Sequence, residues 1–372
     1  MRANNVLGIV FSNAYDDVLP ELTNLRTMGS VPFGGRYRLI DFALSNLVNC
    51  GISKVGVITK SNYQSLMDHI GTGKPWDLSR KREGMYILPP FSNASAAGMY
   101  SNRIQALYGR LGFLNRSNEE YVVLCDCNVV CNIDFHEVLR AHDKSGADIT
   151  IAYCRGIAPK IDDTLVFDLD ADNRILKAAL KGNSQNVTDY SLNIYVMRKS
   201  LLERLITEAV GLNNTDFERD IIQKNTSLLK IYGYRVCGFA RTIDSLLGYF
   251  NINMELLKRE NRAALFDPER PIYTKVRDDM PAIHGLGSKV KNSLIADGCI
   301  INGEVENCIL FRGVRIAKNA KVKNSIIMQG SFVSESAVIE SVIMDKSVVI
   351  TPNKMLCGTS NYPIYVGKSI VI

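Results

Sequence analysis

The residues between the apolar run Val6–Phe11 and Leu25 carry the most telling chemistry of the chain: Ser12-Asn13-Ala14-Tyr15-Asp16-Asp17, with Glu21 close behind. A loop that leaves a buried strand is a natural seat for a polyphosphate. Such a ligand needs glycines, so that backbone amides can approach its oxygens, and cations to offset its charge. This loop has no glycine, Lys or Arg from Ser12 to Leu25, and its acids repel phosphate. The next cations are Arg26, then Arg36 and Arg38 within Val31-Pro-Phe-Gly-Gly-Arg-Tyr-Arg-Leu-Ile-Asp41. Guanidinium forks match phosphate oxygens. Arg36 and Arg38, with Lys74 and Arg80, are therefore candidates to gather an anionic effector such as a sugar bisphosphate; the plainer reading is solvated or interface-paired positions.

Cysteine supplies a second possible chemistry. Nine are present, and Cys125, Cys127 and Cys131 cluster. Their C-x-C-x3-C spacing lacks a second ligand pair and nearby histidines, so it points to reduced, mostly buried thiols rather than to zinc.

The elements that must position these residues read as an α/β pattern. Val6–Phe11 is a first strand. Arg38–Asn49 is a helix stopped by Gly51, and Lys54–Thr59 a strand. Ser61 or Asn62 caps a helix through His69. Tyr121–Cys127 is a strand, Asp134 caps a helix through His142, and Ala147–Cys154 is a strand. Alternating strands and helices imply a Rossmann-like domain with a mixed, mostly parallel sheet, whose ligands lie beyond the carboxyl ends of the strands.

After the polar link Asp267–Pro281 a phrase recurs at Val290, Val305, Val322 and Ile339, at intervals of 15, 17 and 17 residues (305−290, 322−305, 339−322). Three six-residue faces per coil is the repeat of a left-handed parallel β-helix, in which each coil buries its inward aliphatics only by stacking on the next. The alternative is a β-sandwich with coincidental repetition. We divide the chain into residues 1–262, a linker 263–285 and a β-helix 286–372. Outward Phe311 and Phe332 suggest an oligomerisation surface.

Composition is that of a soluble globular protein, 46% hydrophobic and 22% charged, with net charge +6 and pI near 8.7. The cations are dispersed rather than interleaved with aromatics, which argues against nucleic acid. No apolar run reaches the roughly 20 residues of a membrane helix. A cytoplasmic protein is expected.

Val31–Asp41 continuing through Phe42-Ala-Leu-Ser-Asn-Leu-Val-Asn-Cys-Gly51, together with His69-Ile-Gly-Thr-Gly-Lys-Pro-Trp-Asp-Leu78 and Ile87-Leu-Pro-Pro90, resembles the bacterial ADP-glucose pyrophosphorylases, the glucose-1-phosphate adenylyltransferases of glycogen synthesis. The resemblance spans essentially the whole chain and implies a nucleotidyltransferase domain followed by a left-handed β-helix. It also implies transfer of adenylyl from ATP to glucose 1-phosphate, with Mg²⁺ on carboxylates and cations around the phosphates. This sequence departs from the family at those positions. In the family loop, glycines become Asn13, Ala14 and Asp16, an arginine becomes Val18 and a lysine becomes Met28. In the family strand ending Ser-Gly-Asp-His, the matching residues are Cys125, Asp126, Cys127 and Asn128, so Cys127 stands at the metal-binding aspartate. Strand alternation turns Asp126 elsewhere unless the strand has ended. A second family carboxylate has no counterpart in Gly238–Ile243, and Asp244 reads as a helix cap.

The sugar half is better kept: Lys181, Ser191, and Asp216 with Phe217 match sugar-pocket positions. Pro75-Trp76-Asp77 matches a nucleotide-sensing loop, and Trp76 is a candidate for packing on a neighbouring subunit. The resemblance thus implies a non-catalytic, D-type regulatory subunit that binds no cofactor itself. Its partner would be a catalytic, Mg²⁺-using subunit in a heterotetramer, with glucose 1-phosphate or another sugar phosphate as a possible effector. The alternatives are an active enzyme relying on Arg26, Asp126 and Lys181, or a stand-alone sugar-phosphate sensor.

Overall fold

A computed structural model describes residues 3–81, 83–90, 100–180 and 186–372; Lys181 lies outside them. The strand Val6–Phe11 is apolar throughout and fully buried, as expected of a strand covered on both faces. It pairs in parallel with Lys54–Ile58 and Tyr121–Asp126, and Lys54–Ile58 pairs in parallel with Gly84–Leu88. The long strand Val187–Arg198 runs antiparallel to Tyr121–Asp126, Ile149–Ile157 and Leu165–Leu169, making a mixed nine-stranded sheet. One half is thus parallel. The other is turned over by a single long strand.

Helix Leu39–Asn49 starts where the sequence indicates, with the Asp41 carboxylate accepting from the Arg38 amide at 3.0 Å. Asp134 caps Phe135–Ser145 by accepting from the His136 amide. Two expected caps differ. Helix Gln64–Ile70 begins after Tyr63 with no side-chain cap, because Asn62 donates instead to the Asn24 carbonyl. Ser245, not Asp244, caps Leu246–Glu255; Asp244 accepts from the Lys160 amide and the Ser245 hydroxyl.

From Ile283 onward the chain winds into three five-stranded parallel sheets, the faces of the left-handed β-helix. The recurring phrase explains the coil. Val305, Val322 and Ile339 point inward and are buried, while Asn292, Asn307, Asn324 and Ser341 take the positive-φ corner. Asn tolerates that conformation because its short side chain hydrogen-bonds locally. Here Asn292 donates to Asn307 and Asn307 to Asn324, a ladder along the corner. Val290, in the first coil, has no coil beneath it and is 37% exposed.

One face of the β-helix packs on the first domain. Ile309, Phe311, Ile326, Met328 and Ile343 join the core that holds Phe33, Phe42 and Tyr249. Phe311 is therefore buried, 4% exposed, and forms no outward surface; Phe332 is 37% exposed. Gly35, at φ +87°, sits against the Leu310 carbonyl and Ile309, a place where any side chain would be strained. The link is pinned as well: the Ser45 hydroxyl accepts from the Tyr273 amide, and Asn49 donates to the Pro271 carbonyl.

Arg26 and Asp345 close this seam. Both guanidinium nitrogens donate to the carboxylate at 2.9 and 2.6 Å, and the side chains are 3% and 2% exposed. Tyr365 also donates to Asp345. Removing one member of such a buried pair strands the other charge. We expect Asp345→Ala to lower stability by about 3–5 kcal/mol in urea unfolding, and Arg26→Met with Asp345→Leu to regain most of it. A loss below about 1 kcal/mol would show the pair to be no better than a surface bridge.

Candidate functional site

Two clefts meet the loop after Val6–Phe11. The first, about 450 Å³, lies at the carboxyl ends of the parallel strands and is lined by Asn13, Ala14, Tyr15, Asp17, Lys60, Arg103, Asp163, Asp216 and Glu218 among others. Its loop is satisfied from within. Asn13 donates to Asp16 at 2.6 Å, and the other Asp16 oxygen accepts from the Met28 amide at 2.7 Å. A carboxylate of the chain thus holds the loop in place through its own amide. Burial pushes the Asp16 carboxyl up to about 6. Tyr15, at φ 66°, sits in the left-handed region and turns its hydroxyl inward, where Asn193 donates to it at 2.7 Å.

Beneath the cleft, Asp126 ends its strand and meets Arg103 at 2.5 Å; Glu218 lies 3.4 Å from the same guanidinium. Burial raises Asp126 to about 6 and Glu218 to about 7, against the pull of Arg103. Cys127 turns to the opposite face and packs against Gly29. The expectation that Asp126 turns elsewhere is overturned: Asp126 is the cleft-side residue, and Cys127, at the position matched to the metal-binding aspartate, faces the opposite core. Met28 and Arg26, at or near the family's cation positions, are buried and do not line this cleft.

These residues do not fit Mg²⁺. A hard cation takes several oxygen ligands, and here the cleft-side carboxylate Asp126 is engaged by a guanidinium while Cys127 faces away. Among the described residues no group of three or more His, Cys, Asp or Glu can hold a metal ion. Six of the nine cysteines, Cys125, Cys127 and Cys131 among them, are buried free thiols; Cys237 and Cys357 are exposed.

The second cleft, about 400 Å³, opens between the first domain and the β-helix. Arg36 and Arg38 reach it from the Gly34-Gly35 turn. Lys275 and Arg277 come from the link, and Arg312, Lys346 and Lys368 from the β-helix, with Asp68 the one acidic residue among the described lining. Burial pulls the Lys346 ammonium down to about 7, helped by Arg38 and Arg26. It also pulls Arg38 down to about 10. His69, also lining, is bonded to the buried Asp41 at 2.6 Å and is pulled down by burial.

The site residues expected from the sequence separate accordingly. Arg36 and Arg38 come together in the cationic cleft, and Asp216 lines the acidic one. Ser191 is buried beside it, accepting from the Asn193 amide. Lys74 is exposed and lines neither cleft. Trp76 is 2% exposed, edge-on to His69, so it belongs to the chain's own core and not to a subunit contact. Five cations of the second cleft and Arg103 of the first escaped sequence reasoning.

Residues 18–224 match the nucleotidyl transferase family model, and residues 281–361 match the GlmU-like C-terminal hexapeptide model. The glycogen biosynthesis protein GlgD of Bacillus subtilis is 38% identical over all of this chain and 98% of its own length. GlgD of Geobacillus stearothermophilus is 38% identical over 99% of this chain and 97% of its own length. A glucose-1-phosphate adenylyltransferase of Thermosipho africanus is 34% identical over 86% of this chain and 78% of its own length. With near full-length likeness at this level, an acidic, self-satisfied nucleotide cleft and a hexapeptide β-helix, the chain belongs to the glucose-1-phosphate adenylyltransferase family of nucleotidyl transferases and, within it, to the GlgD type.

Proposed function

We propose that this chain is a non-catalytic regulatory subunit acting in glycogen biosynthesis, which joins a catalytic glucose-1-phosphate adenylyltransferase subunit in a heterotetramer in the cytoplasm. The observation that carries the reading is the contrast between the clefts. At the carboxyl ends of the parallel strands the chain's own carboxylates engage the loop and the cation, Asp16 with Asn13 and the Met28 amide and Asp126 with Arg103. Where the first domain meets the β-helix, seven Lys and Arg residues face a cleft with one Asp among its described lining. The cationic cleft suits a sugar phosphate or bisphosphate, recognised by Arg36, Arg38 and Arg312. Glucose 1-phosphate beside Ser191 and Asp216, with Lys181, is the weaker candidate, because the acids of that cleft oppose a phosphate. The division into residues 1–262, 263–285 and 286–372 is part of this reading; helix Arg259–Leu265 crosses the first bound, and the first β-helix strand, Ile283–His284, lies just ahead of the last.

An active enzyme with a rearranged site is disfavoured. It would rely on Arg26 and Asp126, and both are already engaged, by Asp345 and by Arg103. Regulation needs only that contacts favour the partner's active conformation by about 1–3 kcal/mol, enough for a roughly fivefold or larger effect.

The purified chain should release no pyrophosphate from ATP and glucose 1-phosphate, whereas its mixture with a catalytic subunit should be about fivefold or more as active as that subunit alone. ADP-glucose made by the isolated chain at ordinary enzyme rates would refute the proposal. Arg36→Ala and Arg312→Ala should remove the effector response of the mixture while leaving its assembly intact by size-exclusion chromatography.

The cationic cleft should also be sensitive to pH. Lys346 titrates near 7, below the ordinary lysine value, so a rise in pH through neutrality removes a positive charge from the cleft. Sulfate keeps its charge over this range. By isothermal titration it should bind more weakly at about pH 8 than at about pH 6, and Lys346→Met should flatten the difference.

A further inference from the structure

We propose that Arg103 is a built-in counter-cation: its guanidinium does at the carboxyl ends of Val6–Phe11 and Tyr121–Asp126 what a divalent metal does in a nucleotidyltransferase, and so shuts the cleft to metal-bound polyphosphate. This deepens the non-catalytic reading and is independent of any pairing with a catalytic subunit.

The guanidinium is held from five directions. Its Nη2 donates to Asp126 at 2.5 Å, and its Nη1 lies 3.4 Å from Glu218. Phe11, Phe217 and Tyr195 enclose it, with ring centroids 4.9, 5.4 and 5.8 Å from its central carbon. The side chains of Arg103, Asp126 and Glu218 are 9%, 0% and 4% exposed, so solvent screens them little. An arginine stays charged in such a place, and its planar face stacks on aromatic rings while its edge meets carboxylates. It supplies the same service as a metal, a fixed positive charge on carboxylates at the strand ends, without open coordination positions. An arriving Mg²⁺ would meet a like charge and find Asp126 engaged. The polyphosphate it brings would meet Asp17, Asp163 and Asp216 as well, against Lys60 and Arg219 as the remaining cations of the lining.

A purely structural role for Arg103 would be packing among the three rings. The two roles separate on charge. The full-length chain is compared with Arg103→Met, which keeps length and apolar contact, and with Arg103→Met combined with Asp126→Asn and Glu218→Gln. If the guanidinium is a counter-cation, Arg103→Met melts about 5–10 °C below the parent, because two buried carboxylates lose their partner. The triple variant, with those charges removed, recovers at least half of that loss. Folding of the triple variant where Arg103→Met alone fails to fold supports the proposal equally.

Millimolar MnCl2 should leave the parent's melting temperature within about 1 °C and give no bound Mn²⁺ signal by electron paramagnetic resonance. Equal losses in the single and triple variants, or failure of both to fold, would overturn the proposal in favour of packing. Tight Mn²⁺ binding by the parent that disappears in Asp126→Asn would overturn it in favour of a metal site. Neither result depends on whether the chain activates a catalytic subunit.

Discussion

The bidentate pairing of Arg26 with Asp345 is the constraint on which both clefts depend. Arg26 follows the helical turn that holds the loop after the first strand, and Asp345 sits on the face of the β-helix that packs against that loop. Fixing one to the other places the Met28 amide for Asp16 and draws the loop closed. On the other side Asp345 accepts from the amide of Lys346, whose ammonium faces the cationic cleft. A guanidinium beside a phosphate loop could have served a ligand. Here it serves the seam.

The two clefts are opposite solutions to the same electrostatic problem. In the acidic cleft the main charges at the base have internal partners, Asp16 with Asn13 and a backbone amide, Asp126 and Glu218 with Arg103, although one oxygen of Asp126 makes no hydrogen bond. Buried charges are tolerated only when paired and hydrogen-bonded, and here the chain pairs those groups with its own side chains. In the cationic cleft seven cations face one another, with Asp68 in the lining and Asp279 and Asp297 4.0 and 3.9 Å from Arg312. Burial chiefly, and then the neighbouring Arg38 and Arg26, pull Lys346 down to about 7 against the opposing pull of Asp345.

Much of this was legible in the sequence, and the limits are physical. The β-helix announces itself because each repeat of the phrase carries one inward aliphatic and one corner Asn or Ser, a pattern local enough to read along the chain. The absent glycines and cations of the first loop are equally local. The cationic cleft was half legible: Arg36 and Arg38 stand in one motif, but Lys275, Arg277, Arg312, Lys346 and Lys368 join them only through the packing of the β-helix on the first domain. Phe311 was misplaced for the same reason. A solenoid's outward residue is exposed only if nothing packs on that face, and Phe311 lies on the face that the first domain covers. Arg103 had no signal at all. Its partners Asp126 and Glu218 are 23 and 115 residues away (126−103, 218−103), and nothing in its neighbourhood marks it as buried.

On the regulatory reading, the placement of the cationic cleft gives the mechanism its physical content. Like charges gathered from the Gly34-Gly35 turn, the link and the β-helix raise the free energy of any arrangement that brings these three segments together, and an anion lowers it. A ligand shifts a conformational equilibrium only through such a difference between states. Because the seam is tied at Arg26 and Asp345, next to Lys346, the relief is felt along the contact between the two domains rather than in one mobile side chain. An effector bound there can thus change how rigidly the first domain is presented to a neighbouring subunit while the acidic cleft stays closed. A silent nucleotide site and a responsive anion site are then compatible parts of one subunit.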